Sequence, residues 1–373
     1  MRVTIIIPTY NEKDNIGQTI DGLEQVFKDI PSNHQMEILV IDDNSPDGTA
    51  DIVKAKAAHY ANIKLLPNKE KKGLGAAYIK AMKYAMEKLN SDAVFEYDAD
   101  GSHQPKYIPA MVELLAAKAD VVIGSRYVPG GGMPANWGIH RKFLSYFGNL
   151  IARVVLFTPQ YKDMTTGYRG TKTKFLKLID LDNLISKQFA YKIQLYYELH
   201  RVGAKIVEYP IDFVDRSQGK SKFPRNNIID SLRVVFSLRL RDSRKFIQVA
   251  VVGFIGSIVQ FIIFNLLRLS FSPEYANVFA VEAAVISNFS LNNLWTFKAN
   301  RIPVRQAKKL IIKFLQFNLA SMGSIIIQFL VLKIGVNLFG RSFLIENSLV
   351  AIGILLGLVW NYLMYTRWIW KKK

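Results

Sequence analysis

AVFEYDADGSHQP, residues 93–105, is an apolar run that ends abruptly in acid. Successive side chains of a strand point to opposite faces, so Asp98 and Asp100 at a strand end are expected to point the same way. Two hard carboxylate ligands suit Mg2+ or Mn2+, with phosphate oxygens and water completing the shell. Solvated loop charge is the competing reading, and His103 reads equally as a loop residue or a ligand. The same grammar runs through the first ~240 residues and decides the fold. VTIIIPTY, EILVIDD, IKLLPN and ADVVIGSRY are further short apolar strands. NIGQTIDGLEQVFKDI, GTADIVKAKAAHY, LGAAYIKAMKYAMEKL and YIPAMVELLAAK lie between them with helical spacing. Such alternation implies a largely parallel sheet covered on both faces, with ligands beyond the carboxyl ends of its strands.

Those ends carry the candidate site. In PTYNEKDN, Pro8 ends a strand, Tyr10 offers a ring, and Asn11 and Glu12 either help bind a nucleoside or cap the next helix. In VIDDNSPDGTAD, a strand-end carboxylate suits ribose hydroxyls or base N–H groups, and a cap and turn is the alternative. Basic residues follow: Arg126 in GSRY, Arg141 and Ser145 in HRKFLS, Arg169 in YRG, Lys192 in AYK, and Arg216, Ser221 and Lys222 in DRSQGKSK. One basic residue in a loop is usually solvated. Several converging at one sheet end would form an anion site, where arginine binds phosphate bidentately.

The 373 residues carry 49 Lys and Arg against 30 Asp and Glu, a net charge of +19, yet half are hydrophobic. That pairing favours a basic membrane protein over a nucleic-acid binder. With no cysteine, disulfides, thiolate nucleophiles and cysteine-based zinc sites are excluded. From Phe246 onward FIQVAVVGFIGSIVQFIIFNLL is free of charge, and 275–297, 310–332 and 349–370 are three further apolar stretches. A membrane core of about 30 Å takes about 20 helical residues, so four spans are expected. The loop KANRIPVRQAKK carries Lys298, Arg301, Arg305, Lys308 and Lys309 without an acid, and the chain ends in three lysines. The positive-inside rule places that loop, both termini and the sheet domain in the cytoplasm. VTIII is too short for a signal peptide, which agrees. HRKFLSYFGNLIARVVLF and NNIIDSLRVVFSLRLRDSRK mix apolar and basic residues as headgroup-plane helices do; packing on the sheet domain is the alternative. Glu282, Asn288, Asn292 and Asn293 in the second span read first as interhelical hydrogen-bonding groups.

PTYNEKDNI, VIDDNSPDGTAD, KKGLGAAYIKAM, YDADGSHQPKYIPAM, GSRYVPGGG and FVDRSQGKSK together resemble family 2 glycosyltransferases, specifically the polyprenyl-phosphate hexose synthases such as the dolichyl-phosphate mannose synthases. KFIQVAVVGFIGS and SNFSLNNLWTF resemble the GtrA-like membrane domain. The resemblance implies an α/β GT-A (Rossmann-like) catalytic domain over 1–222, an interfacial amphipathic helix over 223–244, and an all-α four-helix transmembrane domain over 245–373. It implies mannose transfer from GDP-mannose to dolichyl or polyprenyl phosphate at a lipid bilayer, with no nucleic-acid partner and with self-association through the membrane domain. Pro8, Tyr10, Glu12, Asp43 and Ala99 would bind the guanosine. Asp98 and Asp100 would hold Mg2+ or Mn2+ against the diphosphate, while Ser102 stands where some relatives have a third ligand, glutamine. Arg126, Arg141, Ser145 and Lys192 would grip phosphates of donor and acceptor, and Arg216, Ser221 and Lys222 would lie on a loop closing over the donor.

A lipid monophosphate with a second pKa near ~6 is already largely dianionic at neutral pH. A protein general base is therefore unnecessary, and in-line attack would invert the α-linked donor. A processive polysaccharide synthase would carry Gln-x-x-Arg-Trp; here Met364 precedes Arg367-Trp368 where glutamine should stand. UDP-glucose as donor is the nearer alternative, because sugar choice rests on a few pocket contacts. A non-catalytic module that binds or moves lipid-linked sugars is a further alternative.

Overall fold

The computed structural model describes residues 1–215 and 226–371, so Arg216, Ser221 and Lys222 lie outside the described residues. The chain divides into two compact units, Met1–Arg239 and Leu240–Lys373.

The first unit is built on a seven-stranded sheet in the order β3-β2-β1-β4-β6-β5-β7. Its strands are β1 (Arg2–Thr9), β2 (Gln35–Asp42), β3 (Ile63–Pro67), β4 (Ala93–Glu96), β5 (Val121–Ser125), β6 (Arg169–Lys172) and β7 (Ile206–Pro210). The helices of this unit are α1 (Lys13–Phe27), α2 (Thr49–His59), α3 (Leu74–Glu87), α4 (Ile108–Ala117), α5 (Ile139–Val155), α6 (Thr173–Leu176) and α7 (Tyr191–Arg201). Strand alternation explains why β1 reads as a continuous apolar run. Val3, Ile5 and Ile7 pack in one core with Ile16 and Ile20 of α1 and Met111 of α4. Ile6 faces the other core, with Ala77, Tyr78 and Ala81 of α3 and Leu195 of α7. Both faces are dry, so no polar face is left to mark the period.

The five strands expected from sequence are present, and two more join them. β6 runs antiparallel to both β4 and β5, and β7 is parallel to β5. β6 escaped notice because its sequence is polar, with a glycine where a side chain would overlap the Phe95 ring. One expectation is corrected here. β4 ends at Glu96, so Asp98 and Asp100 lie in the loop beyond it, and strand alternation does not aim them.

The second unit is helical. α8 (Asn226–Leu267) is one unbroken 42-residue helix that begins in the first unit; it carries the described part of the segment expected as an interfacial helix, 223–244, and leads directly into the first apolar stretch. The first part of α8 packs in the core of the sheet unit through Val234, Val235 and Leu238. Ser186 Oγ donates to Asp230 Oδ2 at 2.5 Å, and Arg239 lies over the Phe157 ring at 3.9 Å. Its opposite face leaves Ile229 and Phe236 exposed. α9 (Pro273–Leu291) continues into a π-helical turn, Asn292–Thr296, followed by α10 (Ala307–Phe339) and α11 (Phe343–Met364). Among the described residues, three helices are long and apolar enough to cross a membrane: Asn227–Leu267, Ala307–Phe339 and Phe343–Ile369. The expected second span falls on α9 and its π-turn.

Small residues set the helix packing. Gly353 and Gly357 sit against Gln328 and Ser324, and Trp360 Nε1 donates to the Ala320 carbonyl at 2.9 Å. Asn293 accepts from Ile302 N at 2.8 Å and Trp370 Nε1 at 3.1 Å, and donates to the Ile302 carbonyl at 3.0 Å. For Asn293 the hydrogen-bonding reading is what the structure shows.

Candidate functional site

The loops after β1 and β2 are stitched together. Asn11 and Asn44 both take left-handed backbone conformations, with φ of +56° and +58°. Asparagine tolerates that region better than most residues. Asn11 N donates to Ser45 Oγ at 3.0 Å, Lys13 N to Asp47 Oδ2 at 3.0 Å, and Glu12 N to Thr49 Oγ1 at 3.0 Å. Asp42 is spent locally on Thr9 and Ser45. Asp43 beside it is buried and accepts from Asn68 Nδ2 at 2.7 Å. Burial raises its pKa, opposed by that hydrogen bond and by Lys71. Lys71 also lies over the Tyr10 ring, 3.7 Å from its centroid. Glu12 Oε2 accepts from Asn15 Nδ2 at 2.8 Å. Pro8 is half-buried, and Ala99 is buried, its carbonyl held by Thr19 Oγ1 at 2.9 Å.

The acidic loop is braced from several sides. Tyr78 of α3 donates its hydroxyl to Asp98 Oδ1 at 2.9 Å. Lys192 Nζ of α7, itself buried, stands 3.6 Å from Asp98 Oδ2. A side chain at Gly167 would overlap that ammonium. His103 Nδ1 accepts from Asp98 N at 3.0 Å, so its proton sits on Nε2, 3.7 Å from Asp98 Oδ2. The ring stacks on Tyr168 at 4.7 Å. Burial lowers the His103 pKa, against the pull of Asp98 and with a push from Lys192. Asp100 is buried and accepts from Ser102 N at 3.1 Å.

The cationic side is organised around β5 and α5. Arg126 is clamped by Asp163, with Nε to Oδ2 at 2.7 Å and Nη2 to Oδ1 at 2.8 Å, and Nη2 also reaches Thr165 Oγ1 at 2.8 Å. Burial opposes its charge, but Asp163 outweighs that and raises its pKa further. Three of its N–H donors are thus used, and the two on Nη1 have no protein partner among the described residues. Arg141 lies over the Trp137 ring at 3.8 Å and 3.4 Å from Asp215. Ser145 Oγ and Tyr127 Oη share a 2.6 Å hydrogen bond. Phe213 joins the two sides: its ring contacts His103 at 6.2 Å, Arg126 at 5.5 Å and Trp137 at 5.7 Å. Asp98, Lys192, Arg126 and Arg141 are therefore linked through one aromatic junction. Arg169 does not join them. It is fully buried on β6 and paired with Glu96, which removes it from the expected anion site.

Comparison with known proteins finds relatives of both parts of the chain. The model of glycosyl transferase family 2 matches residues 4–179, and that of the GtrA/DPMS transmembrane domain matches 248–370. An undecaprenyl-phosphate mannosyltransferase from Micrococcus luteus is 41% identical over 60% of this chain and 87% of its own length. The chain belongs to glycosyl transferase family 2. A dolichol-phosphate mannosyltransferase from Pyrococcus furiosus is 28% identical over 99% of both chains. A polyprenol monophosphomannose synthase from Mycolicibacterium smegmatis is 37% identical over 62% of this chain and 84% of its own. Among solved structures, a glucosyl-3-phosphoglycerate synthase from Mycobacterium tuberculosis has a TM-score of 0.47 and 16% identity, over 64% of this chain and 79% of that one.

The glycosyltransferase's acidic loop offers carboxylates of the kind a divalent cation takes. Among the described residues no three His, Asp or Glu side chains cluster to chelate an ion. Asp98 and Asp100 supply two carboxylates, the complement that Mg2+-type sites use when substrate phosphates and water fill the remaining positions. The Asp98 side chain is 27% exposed and so accessible from solvent. Sequence reading missed Tyr78, Tyr127, Trp137, Asp163 and Phe213. The aromatic residues carry no pattern that separates them from core. Asp163 gains meaning only when the fold brings it to Arg126, 37 residues away.

Proposed function

We propose that this glycosyltransferase moves mannose from GDP-mannose to the phosphate of dolichyl or another polyprenyl phosphate, with inversion at the sugar's anomeric carbon. The observation that carries the reading is the junction at Phe213, where His103, which braces the part-exposed Asp98, meets a buried, clamped arginine. A nucleotide-sugar diphosphate would lie toward Asp98 and Asp100, with its nucleoside toward Asp43 and Tyr10. The lipid phosphate would lie toward Arg126 Nη1, Arg141 and Ser145. Its relatives' names supply the sugar and the lipid.

Mg2+ or Mn2+, held by Asp98 and Asp100, would offset charge on the leaving diphosphate. Arg126 orients the acceptor phosphate, and its fixed geometry avoids reorganisation during the reaction. Lys192 adds positive charge on the carboxylate side. An acceptor phosphate oxygen bonds to the anomeric carbon as the bond to the donor phosphate breaks, and the electron pair leaves with the nucleoside diphosphate. The dianionic acceptor needs no proton removed, so no carboxylate here serves as an essential base.

The second unit is read as four spans with both termini cytoplasmic. α5 turns Ile139, Phe143, Leu144 and Val154 outward, each more than half exposed. With the exposed face of the first part of α8, this forms the contact with the lipid surface. The test is purified enzyme with labelled GDP-mannose, UDP-glucose or UDP-galactose, dolichyl or undecaprenyl phosphate, and EDTA in parallel. Transfer from GDP-mannose alone, abolished by EDTA and restored by Mn2+ or Mg2+, is the expected result. Transfer only from UDP-sugars would overturn the mannose assignment, and full activity in EDTA the metal role.

A further inference from the structure

Two groups that touch Asp98 trace back to one buried ion pair. Glu96 and Arg169 face each other across β4 and β6, each 1% exposed. Arg169 Nε donates to Glu96 Oε2, and Arg169 Nη1 donates to the Lys192 carbonyl at 3.1 Å. The Tyr191 hydroxyl donates to Glu96 Oε1. The Tyr191 ring stacks on Tyr78, 5.7 Å between centroids at 27°. Tyr78 then donates to Asp98 Oδ1 at 2.9 Å.

We propose that Tyr78 is a positioning residue that sets the plane of the Asp98 carboxylate for metal binding, with Tyr191 and the Glu96–Arg169 pair as its anchor. The proposal rests on the reading of Asp98 and Asp100 as metal carboxylates.

An ion pair this deeply buried is weak evidence for stability, because desolvation offsets the attraction. Its value here is geometric. It fixes the Tyr191 hydroxyl and the backbone at Lys192 together. The GLG turn entering α3 allows the approach. A side chain at Gly75 would come within 2.9 Å of the Tyr191 ring, and one at Gly73 within 2.6 Å of the Lys187 carbonyl. Gly73 also has φ +109°, a conformation that disfavours other residues. Those two glycines let α3 dock on the start of α7, which seats Tyr78 between Tyr191 and Asp98. Both phenols are buried, and each donates to a carboxylate oxygen. A ligating carboxylate held by such a partner is pre-aimed, and loss of outer partners typically weakens metal affinity about 10–100-fold.

Mn2+ alone, titrated into the full-length protein in detergent and followed by the spin resonance of the free ion, tests this. Asp98→Asn should abolish tight binding. Tyr78→Phe keeps the stacked ring and removes one hydroxyl. It should weaken Mn2+ binding about tenfold or more, with little change in thermal midpoint. The metal concentration for half-maximal transfer should rise in step, and lost transfer should recover as Mn2+ is raised. Tyr191→Phe, one step further out, should weaken binding less, and it serves if Tyr78→Phe does not fold. Wild-type binding in Asp98→Asn would overturn the metal reading and the proposal with it. Loss in Asp98→Asn with wild-type binding in both tyrosine variants would overturn the positioning role alone. So would a fall in transfer that raised Mn2+ does not relieve.

Discussion

Arg126 is the residue on which structure and chemistry are hardest to separate, and two substitutions separate them. Its side chain is 8% exposed and that of Asp163 0%, joined by two hydrogen bonds of 2.7 and 2.8 Å. Removing one partner of such a pair leaves the other charge buried and costs about 3–5 kcal/mol. For a unit of this size each kcal/mol shifts the thermal midpoint by about 2–4 °C, so a fall of roughly 6–20 °C is expected. Arg126→Met and Asp163→Asn should each show it. The double variant is neutral at both positions, and asparagine keeps an acceptor for Arg126 N and a partner for Thr165. It should regain most of the midpoint. Transfer separates differently: Asp163→Asn keeps the guanidinium and should retain part of the rate. Arg126→Met and the double variant should lose transfer together, whatever their stability. The assay pairs a melting curve in detergent with transfer from labelled donor to polyprenyl phosphate. A double variant that melts like wild type and transfers mannose at wild-type rate would show that Arg126 is only a strut. Single variants as stable as wild type would refute the burial argument itself.

Three further outcomes follow from particular contacts. Gly167→Ala places a methyl group on the Lys192 ammonium and should cut transfer as Lys192→Ala does, while Gly17→Ala, which meets only an ordinary contact with Ile52, should not; rates of the three decide it. Asp47 is pushed up by burial, but hydrogen bonds from Thr49 and Lys13 N outweigh this and hold its pKa below 3.8; its contribution is present above 3.8 and lost as pH falls through the lowered folded value. The difference in thermal midpoint between wild type and Asp47→Asn should therefore shrink as pH falls below 3.8, and a constant difference would refute the assignment. Asn293→Ala strands the Ile302 N–H and carbonyl and Trp370 Nε1, at about 1–3 kcal/mol for each buried group left unpaired. A lowered melting temperature in detergent is expected, and an unchanged one would remove Asn293 from the packing of the second unit.

Much of the first unit was legible because its signals are local. β1 and β2 are continuous apolar runs, and a strand buried on both faces must be one. Strand ends could be found from the acids and prolines that stop those runs. What was not legible is pairing at a distance. Arg169 looks like any arginine between tyrosine and glycine, and its partner Glu96 is 73 residues away. In sequence it joined the anion-seeking set; in the fold it is neutralised in the core. The boundary near 244 is one of composition, from mixed to purely apolar. Composition tells which solvent a segment meets, and nothing in SLRLRDSRKFIQVA stops a helix, so α8 runs through it.

The two arginines assigned to the acceptor differ in a way that bears on how a dianion would be received. Arg126 is held on one side by Asp163, presents Nη1 on the other, and pays its ordering cost on folding. Arg141 is 43% exposed, rests on the flat face of Trp137, and pairs with Asp215 at 3.4 Å. An exposed pair of that length contributes little, so a phosphate dianion can compete with Asp215 for the guanidinium at small cost. On the proposed reading, the rigid arginine would define where the phosphate sits, and the loosely held one would supply charge that moves to it. Asp215→Asn tests the competition: by removing the competitor it should tighten acceptor binding while leaving donor binding unchanged. Weaker acceptor binding in that variant would mean that Asp215 orients Arg141 rather than competes for it.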